Sequence, residues 1–157
     1  MSKETIKCTD DNIKDIRREQ AKLLGNEADL NHLDVSGVTN MNRLFESTDF
    51  NGDISKWDVS NVTSMNWLFA NSEFNGDISR WDVSNVTGIT QAFSESHFNG
   101  DISNWNLSSV TSFDSLFLRS KFNGDISNWD VSNVTNMTGT FAASVLMVIF
   151  PSGMYQM

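Results

Sequence analysis

Aspartate recurs at one position of a 24-residue sequence repeat, at Asp53, Asp77, Asp101 and Asp125. Stacked repeats would place these carboxylates about 5 Å apart, where like charges repel unless a cation or hydrogen bonds neutralise them. Calcium could fill that role, although the glycine-rich calcium-binding repeat uses a different nonapeptide. A turn aspartate that accepts backbone N–H groups needs no metal. We therefore predict structural turns without metal ligands, and keep a calcium-stabilised structural repeat array as the alternative function.

Tryptophan forms a second column, at Trp57, Trp81, Trp105 and Trp129. A row of exposed indoles would suit carbohydrate stacking. However, this column coincides with a core position of leucine-rich repeats, and Leu33 takes the place of tryptophan in an earlier, degraded copy of the repeat. We therefore predict that the tryptophans are buried in the core.

Threonine forms a third column, at Thr39, Thr63, Thr87, Thr111 and Thr135. Such a row is similar to the arrays of ice-binding proteins. One threonine per repeat, at a position suited to the N-cap of a helix, is better explained by helix capping. We predict capping.

Residues for enzymatic chemistry are scarce. His32 and His97 are the only histidines, and neither is spaced from a Cys, Asp or Ser as a metal site or a catalytic triad requires. Cys8 is the only cysteine, so no intramolecular disulfide can form. We expect both histidines at the surface, and predict no enzymatic activity, no cofactor and no bound metal.

The chain is acidic, with 11 Lys and Arg residues against 20 Asp and Glu residues. An excess of negative charge repels phosphate backbones and anionic lipid headgroups, so we predict a protein partner and neither nucleic acid nor membrane insertion. The opening MSKETIKCTDD has no apolar signal-peptide segment. The sequence therefore leaves the cytoplasm open, alongside export through a signal removed earlier.

A repeat must position these columns, because the block FNGDIS-x-W-[DN]-[VL]-S-[NS]-V-T recurs at one fixed spacing, at Phe50, Phe74, Phe98 and Phe122. The degraded copy around Leu33 gives about five repeats over residues 26–141. One unit buries too little apolar surface to offset the entropy of ordering its backbone, so the units must pack on one another. We predict a single solenoid domain over residues 1–157.

The apolar spacing changes within a unit. The pattern I-x-x-W-x-V from Ile54 matches the L-x-x-L-x-L core of leucine-rich repeats and predicts a strand over residues 56–60. Thr63 would then cap a short helix. One face of that helix would carry Met65, Leu68 and Phe69. The predicted fold class is an α/β repeat, a leucine-rich-repeat-like solenoid of 24-residue coils (short strand, turn, short helix) with an N-terminal capping helix.

Both ends are predicted to be caps. Residues 1–25 contain an amphipathic helix over residues 10–24, which Gly25 ends. Its apolar stripe is formed by Ile13, Ile16, Leu23 and Leu24. Residues 142–157 form an apolar C-terminal cap, in which the run Val145–Phe150 is too short to span a bilayer. A buried closing strand is favoured, and self-association through Val145–Phe150 is the alternative.

Differences between the units indicate where a partner would bind. Repeat scaffolds use a rigid core to display changeable side chains, although drift on a solvated face gives the same variation. Trp67 is the strongest candidate, because an indole outside the core positions often carries interface energy. The predicted partner-binding residues are Trp67, Lys56, Arg80, Asp58, Asp82, Asn66 and Gln91.

The motif F-N-G-D-I-S-x-W-D-V-S-N-V-T-x-M-x-x-L-F covers about residues 30–141 and resembles the BspA-like repeats of bacterial and mycoplasma surface proteins. The resemblance implies a leucine-rich-repeat-like solenoid at the cell surface, with roles in adhesion or host interaction and no enzymatic activity. We therefore expect a non-enzymatic protein–protein interaction module that acts in adhesion or in recognition of a host or partner protein, with the compartment left open between the cell surface and the cytoplasm.

Overall fold

The computed structural model describes residues 4–145. Its regular secondary structure is confined to the N-terminal part: strand β1 at Ile6–Lys7, helix α1 at Ile13–Leu24 and strand β2 at Leu33–Asp34. The two strands are parallel, with Ile6 opposite Leu33 and Lys7 opposite Asp34. The remaining described residues form turns, bends and isolated parallel bridges.

The predicted fold class is wrong. Within residues 4–145 there is one helix and there are two strands of two residues each, so the α/β leucine-rich-repeat-like solenoid of strand, turn and helix is not formed. Residues 56–60 are turn and irregular backbone instead of a strand. After Thr63, the positive φ angles of Trp67 (55°) and Asn71 (51°) exclude an α-helix.

The hydrogen bonds show why no helix follows Thr63. In a helix each N–H group bonds to a carbonyl four residues earlier. Here alternate N–H groups bond instead to carbonyls of the next sequence repeat, from Met65 to Gly88 (2.7 Å), Trp67 to Thr90 (2.9 Å) and Phe69 to Ala92 (2.8 Å). The apolar spacing that we assigned to a helix is therefore produced by turns bonded to the repeat that follows.

The predicted core residues are buried. Two columns of phenylalanine stack along the repeats, with Phe69 5.4 Å from Phe45 and Phe74 6.3 Å from Phe50 between ring centroids. Trp57 and Trp81 are each 4% exposed, their rings are parallel within 3°, and the predicted burial of the tryptophan column is confirmed. Each indole N–H donates to a carbonyl of the preceding repeat, and the four acceptors are Leu30, Ile54, Ile78 and Ile102.

The N-terminal part packs on the first repeat through one end of α1. Ile13 is fully buried and Ile16 is partly buried against the core. Gly25 follows the last turn with φ 90°, where its N–H donates to the Ala21 carbonyl at 2.9 Å. Leu23 is 75% exposed and Leu24 46% exposed, so the predicted apolar stripe is wrong at these two residues.

The C-terminal side of the described region is less buried. Phe122 and Trp129 of its last repeat are buried. Five further apolar residues of that repeat are only partly buried: Ile126, Val131, Val134, Met137 and Phe141. Val145 is 56% exposed. The rest of the predicted cap over residues 142–157, and of the run to Phe150, lies outside the described residues from residue 146 onwards.

A candidate interaction surface

Two positions of each repeat have left-handed backbone, with φ between 51° and 63°. The first column contains Arg43, Trp67, Gln91, Ser115 and Gly139. The second column contains Ser47, Asn71, Glu95, Arg119 and Ala143. Glycine is the residue that adopts such φ values without steric cost, yet nine of these ten positions carry a side chain. The left-handed backbone therefore does not explain why these positions carry side chains.

Trp67 lies in the first column and is half-buried. Its backbone N–H group donates to the Thr90 carbonyl at 2.9 Å. The guanidinium carbon of Arg43 lies 4.3 Å from the centroid of the indole, within the range of a cation–π contact. Arg43 also donates to both carboxylate oxygens of Glu46, at 2.7 and 3.0 Å. The indole is therefore held in one orientation beneath a charged side chain.

Asn66 and Gln91, two further predicted partner-binding residues, lie beside Trp67. The Asn66 N–H donates to Asn42 Oδ1 at 2.8 Å, and Asn66 Oδ1 accepts the Thr90 N–H at 2.8 Å. Its Nδ2 donates to Ser64 Oγ at 3.1 Å. Gln91 follows Thr90 directly and is half-buried with φ 55°. Both ends of the Asn66 side-chain amide are thus hydrogen-bonded within the fold. Gln91 extends the column that contains Trp67.

The other four predicted residues form a separate group. Lys56, Arg80, Asp58 and Asp82 are all exposed. Asp58 Oδ1 accepts the N–H and the hydroxyl of Ser60 at 3.1 and 2.6 Å. Asp82 makes the same pair with Ser84, and the hydroxyl and N–H bonds lower the pKa of Asp82. Within residues 4–145, no hydrogen bond or ion pair joins this group to Trp67.

The second left-handed column and the residues after it carry polar side-chain contacts between neighbouring repeats. Glu95 lies 3.6 Å from Arg119, and Glu73 contacts His97 through Oε2 and Nδ1. We expected both histidines at the surface. His97 is half-buried, and its partner Glu73 occupies the equivalent position of the preceding repeat. His32 is also half-buried, with Nε2 3.1 Å from Gln20 Oε1.

The aspartate column forms the predicted turns. The Oδ1 atoms of Asp53, Asp77, Asp101 and Asp125 each accept the N–H of the serine two residues later, at 2.8–2.9 Å. These backbone bonds, followed by those from the serine hydroxyls, lower the pKa of all four carboxyls. Within residues 4–145, no group of three or more His, Cys, Asp or Glu side chains is placed to hold a metal ion. The calcium-stabilised array stays a prediction, tested by whether EDTA lowers the melting temperature.

The threonine column forms a ladder. Thr63 donates through its N–H (2.8 Å) and its hydroxyl (3.3 Å) to the carbonyl of Thr39. Thr87 and Thr135 make the same two bonds to Thr63 and Thr111. The prediction of helix capping is therefore wrong, because no helix follows these residues. They join neighbouring repeats instead.

No helix within residues 4–145 has the length and apolar content needed to cross a membrane.

Comparison with known proteins gives one match. No curated protein and no solved structure matches the chain. The model of one family, described as "Mycoplasma protein of unknown function, DUF285", matches residues 14–119 and again residues 72–147. The two matches together cover most of the sequence, and the chain therefore belongs to this Mycoplasma family of unknown function.

Proposed function

We propose that this chain is a non-enzymatic protein–protein interaction module of the bacterial surface-repeat type, acting in adhesion or in recognition of a host or partner protein. The observation that carries the proposal is Trp67, a half-buried indole at a left-handed backbone position, oriented by Arg43. The BspA-like character of the sequence motif supports the surface-repeat assignment.

The backbone gives no reason for tryptophan at position 67. A non-glycine residue in the left-handed region costs roughly 1 kcal/mol or more. Gly139 occupies the equivalent position in the last described repeat with φ 63°, so the same turn forms without a side chain. Trp67 also lies outside the stacked phenylalanine and tryptophan columns, because among residues 4–145 its ring pairs with the Arg43 guanidinium and with no other aromatic ring. A large side chain kept at a strained, non-core position is best explained by binding.

The chemistry of the pair suits a protein interface. Tryptophan and arginine are the side chains most enriched among residues that dominate binding energy. The contact between Trp67 and Arg43 fixes both side chains before a partner arrives, which reduces the entropy lost on binding. The net charge of −9 favours a basic or neutral partner surface.

The other predicted residues take smaller roles in this proposal. Gln91 extends the contact along the Trp67 column, and Asn66 holds the turn that carries the indole. Lys56 and Arg80 with Asp58 and Asp82 form a second, exposed polar group. Since Asp58 Oδ1 and Asp82 Oδ1 are already bonded to serines, each aspartate offers mainly its other oxygen to a partner.

The test is a capture experiment with the purified chain as bait, against cell lysate and against host extracellular material. The decisive variant is Trp67→Gly, and its matched control is Ser115→Gly, because Ser115 lies two repeats away in the same column with φ 53°. Glycine relieves the backbone at both positions and removes the indole at only one. We expect Trp67→Gly to weaken binding of the captured protein by about 30-fold or more, as loss of a dominant interface residue does. Equal binding by the two variants would show that Trp67 is not part of the site.

A further inference from the structure

One column of side chains changes its charge along the repeats. The position directly before each repeated phenylalanine is occupied, in chain order, by Asp49, Glu73, His97 and Lys121. Asp49, Glu73 and Lys121 are exposed, and His97 is half-buried. This row, which we call the charge column, carries carboxylates in two repeats and then an imidazole and an ammonium group in the next two. Its acidic end therefore lies toward the N-terminus and its basic end toward the C-terminus.

The backbone holds the charge column in register. The N–H groups of Glu73, His97 and Lys121 donate at 3.0–3.1 Å to the preceding repeat, each to the carbonyl of the residue just before the column position. The phenylalanines that follow the column residues stack at 6.2–6.3 Å between ring centroids, with ring planes within 4° of each other. Such even spacing and nearly parallel rings mean that successive repeats are related with little rotation. The four column side chains therefore form an evenly spaced, nearly straight row.

The charge column is paired in its middle and unpaired at its two ends. Glu73 Oε2 contacts His97 Nδ1, so these two side chains satisfy each other. Within residues 4–145, no ion pair or side-chain hydrogen bond involves the Asp49 carboxylate or the Lys121 ammonium group. The row thus ends in an unpaired anion on one side and an unpaired cation on the other.

We propose that this face binds a second copy of the chain, in an antiparallel dimer with two-fold symmetry. In such an interface, if residue i contacts residue j of the second copy, then j contacts i of the second copy. Reversing the charge column places Asp49 opposite Lys121 of the second copy, and Glu73 opposite its His97. Each of these contacts occurs twice. The column is therefore complementary in charge to its own reverse.

The adjacent second left-handed column fits the same orientation. In four successive repeats it contains Ser47, Asn71, Glu95 and Arg119. Reversal places Glu95 opposite Asn71 of the second copy and Arg119 opposite its Ser47, so no like charges meet. A parallel arrangement would instead place each carboxylate opposite its own copy, and like charges across an interface oppose binding. Charge complementarity therefore selects the antiparallel orientation.

Sedimentation of the purified full chain at neutral pH tests the dimer. Physiological ionic strength is used, because charges more than about 8 Å apart are then largely screened and the net charge of −9 on each copy acts weakly. Asp49→Lys and Lys121→Asp each replace two contacts between opposite charges by two contacts between like charges. We expect either variant to raise the dimer dissociation constant by about tenfold or more. Lys56→Asp, the same charge change at another exposed lysine outside the charge column, is the control and should leave it unchanged.

Mixing the two weakened variants is the decisive experiment. In a dimer of Asp49→Lys with Lys121→Asp, all four contacts of the charge column again join complementary residues. We therefore expect the mixture to form one-to-one dimers at concentrations where each variant alone is monomeric. Unchanged melting temperatures verify that both variants are folded. A monomeric native chain at all concentrations, or a dimer that neither substitution weakens, or a mixture that stays monomeric, would overturn the proposal. The experiment uses no other protein, so its outcome is independent of the role proposed for Trp67.

Discussion

The two ends of the described region differ in how they are closed. Near the N-terminal end, Val35, Val38 and Met41 are 0–1% exposed. Four repeats later, the equivalent apolar residues are only partly buried: Val131, Val134 and Met137. The same positions of one sequence repeat are thus buried at one end and only partly buried at the other. Burial of these side chains therefore depends on the segment packed against the repeat and not on the sequence of the repeat itself.

Polar groups show the same contrast. At the N-terminal end, Asp10 Oδ1 accepts the N–H groups of Thr39 and Asn40 at 2.7 and 2.9 Å, and Asp10 Oδ2 accepts the Thr39 hydroxyl at 2.6 Å. One repeat later, the corresponding N–H of Thr63 donates to a threonine carbonyl. The Asp10 carboxylate therefore replaces the carbonyl that a preceding repeat would supply.

The largest expected effect comes from shortening equivalent phenylalanines at the two ends. Phe45 is fully buried and stacks 5.4 Å from Phe69, so Phe45→Ala should lower the free energy of unfolding by about 3–5 kcal/mol. Phe141 is only partly buried, so Phe141→Ala should lower it by about 1–2 kcal/mol. Urea unfolding of both variants measures the difference. Equal losses would contradict the contrast between a closed and an open end.

A smaller effect is expected at the carboxylate of Asp10. Asp10→Ala should lower the free energy of unfolding by about 1 kcal/mol at neutral pH, as loss of an exposed cap does. Burial raises the pKa of Asp10, but the hydrogen bonds from the Thr39 hydroxyl and the Asn40 and Thr39 N–H groups outweigh it and hold the pKa below 3.8. A lowered folded-state pKa means that the stabilisation is complete above the unfolded value and is lost as the pH falls through the folded value.

The difference between the native chain and Asp10→Ala should therefore be constant from about pH 5 to 7 and shrink below pH 3.8. Thermal unfolding at several pH values measures it. Asp11→Ala, at the adjacent exposed position, is the control and should leave the melting temperature unchanged. A difference that grows as the pH falls would show that Asp10 does not act as an ionised acceptor.

Two glycines near opposite ends sharpen the comparison further. Gly139 has φ 63°, and a Cβ atom there would lie 3.2 Å from Ser115 Oγ, so Gly139→Ala should cost about 1 kcal/mol. A Cβ atom at Gly37 would make only an ordinary 3.4 Å contact with the Cys8 carbonyl oxygen, and Gly37 has no positive φ. Gly37→Ala should therefore change the free energy of unfolding by less than about 0.5 kcal/mol. Chemical denaturation of the pair checks both values.

The sequence predicts the core but not the backbone that carries it. Burial of Trp57, Met65 and Phe69 follows from the recurrence of apolar residues at their positions in successive repeats, since each such residue packs on its equivalents. The strand and the helix do not follow, because an apolar spacing of three and four residues fits turns bonded to the next repeat as well as it fits a helix. The left-handed φ of Trp67 carries no sequence signal, since neither tryptophan nor its neighbour Asn66 is glycine.

The candidate site was predicted in part. Trp67 is identifiable as an indole outside the repeated core positions, and the aspartate turns follow from the turn preference of Asp next to Asn-Gly. The contact of Trp67 with Arg43 and the pair of Glu73 with His97 both join equivalent positions of neighbouring repeats. They become visible only once the repeats are known to pair in register. Asp10 lies outside the repeat, so no recurring pattern indicates that its carboxylate bonds to Thr39.

The smallest expected effect concerns the exposed end of α1. Leu23 is 75% exposed, so Leu23→Ser removes almost no buried surface and should change the free energy of unfolding by less than about 0.5 kcal/mol. Ile13 at the start of the same helix is fully buried, and Ile13→Ala should cost about 2–4 kcal/mol. Urea unfolding of both variants distinguishes a helix that closes the N-terminal end along its whole length from one that does so only through its first turns. A loss of more than about 1 kcal/mol for Leu23→Ser would assign the closing role to the whole helix.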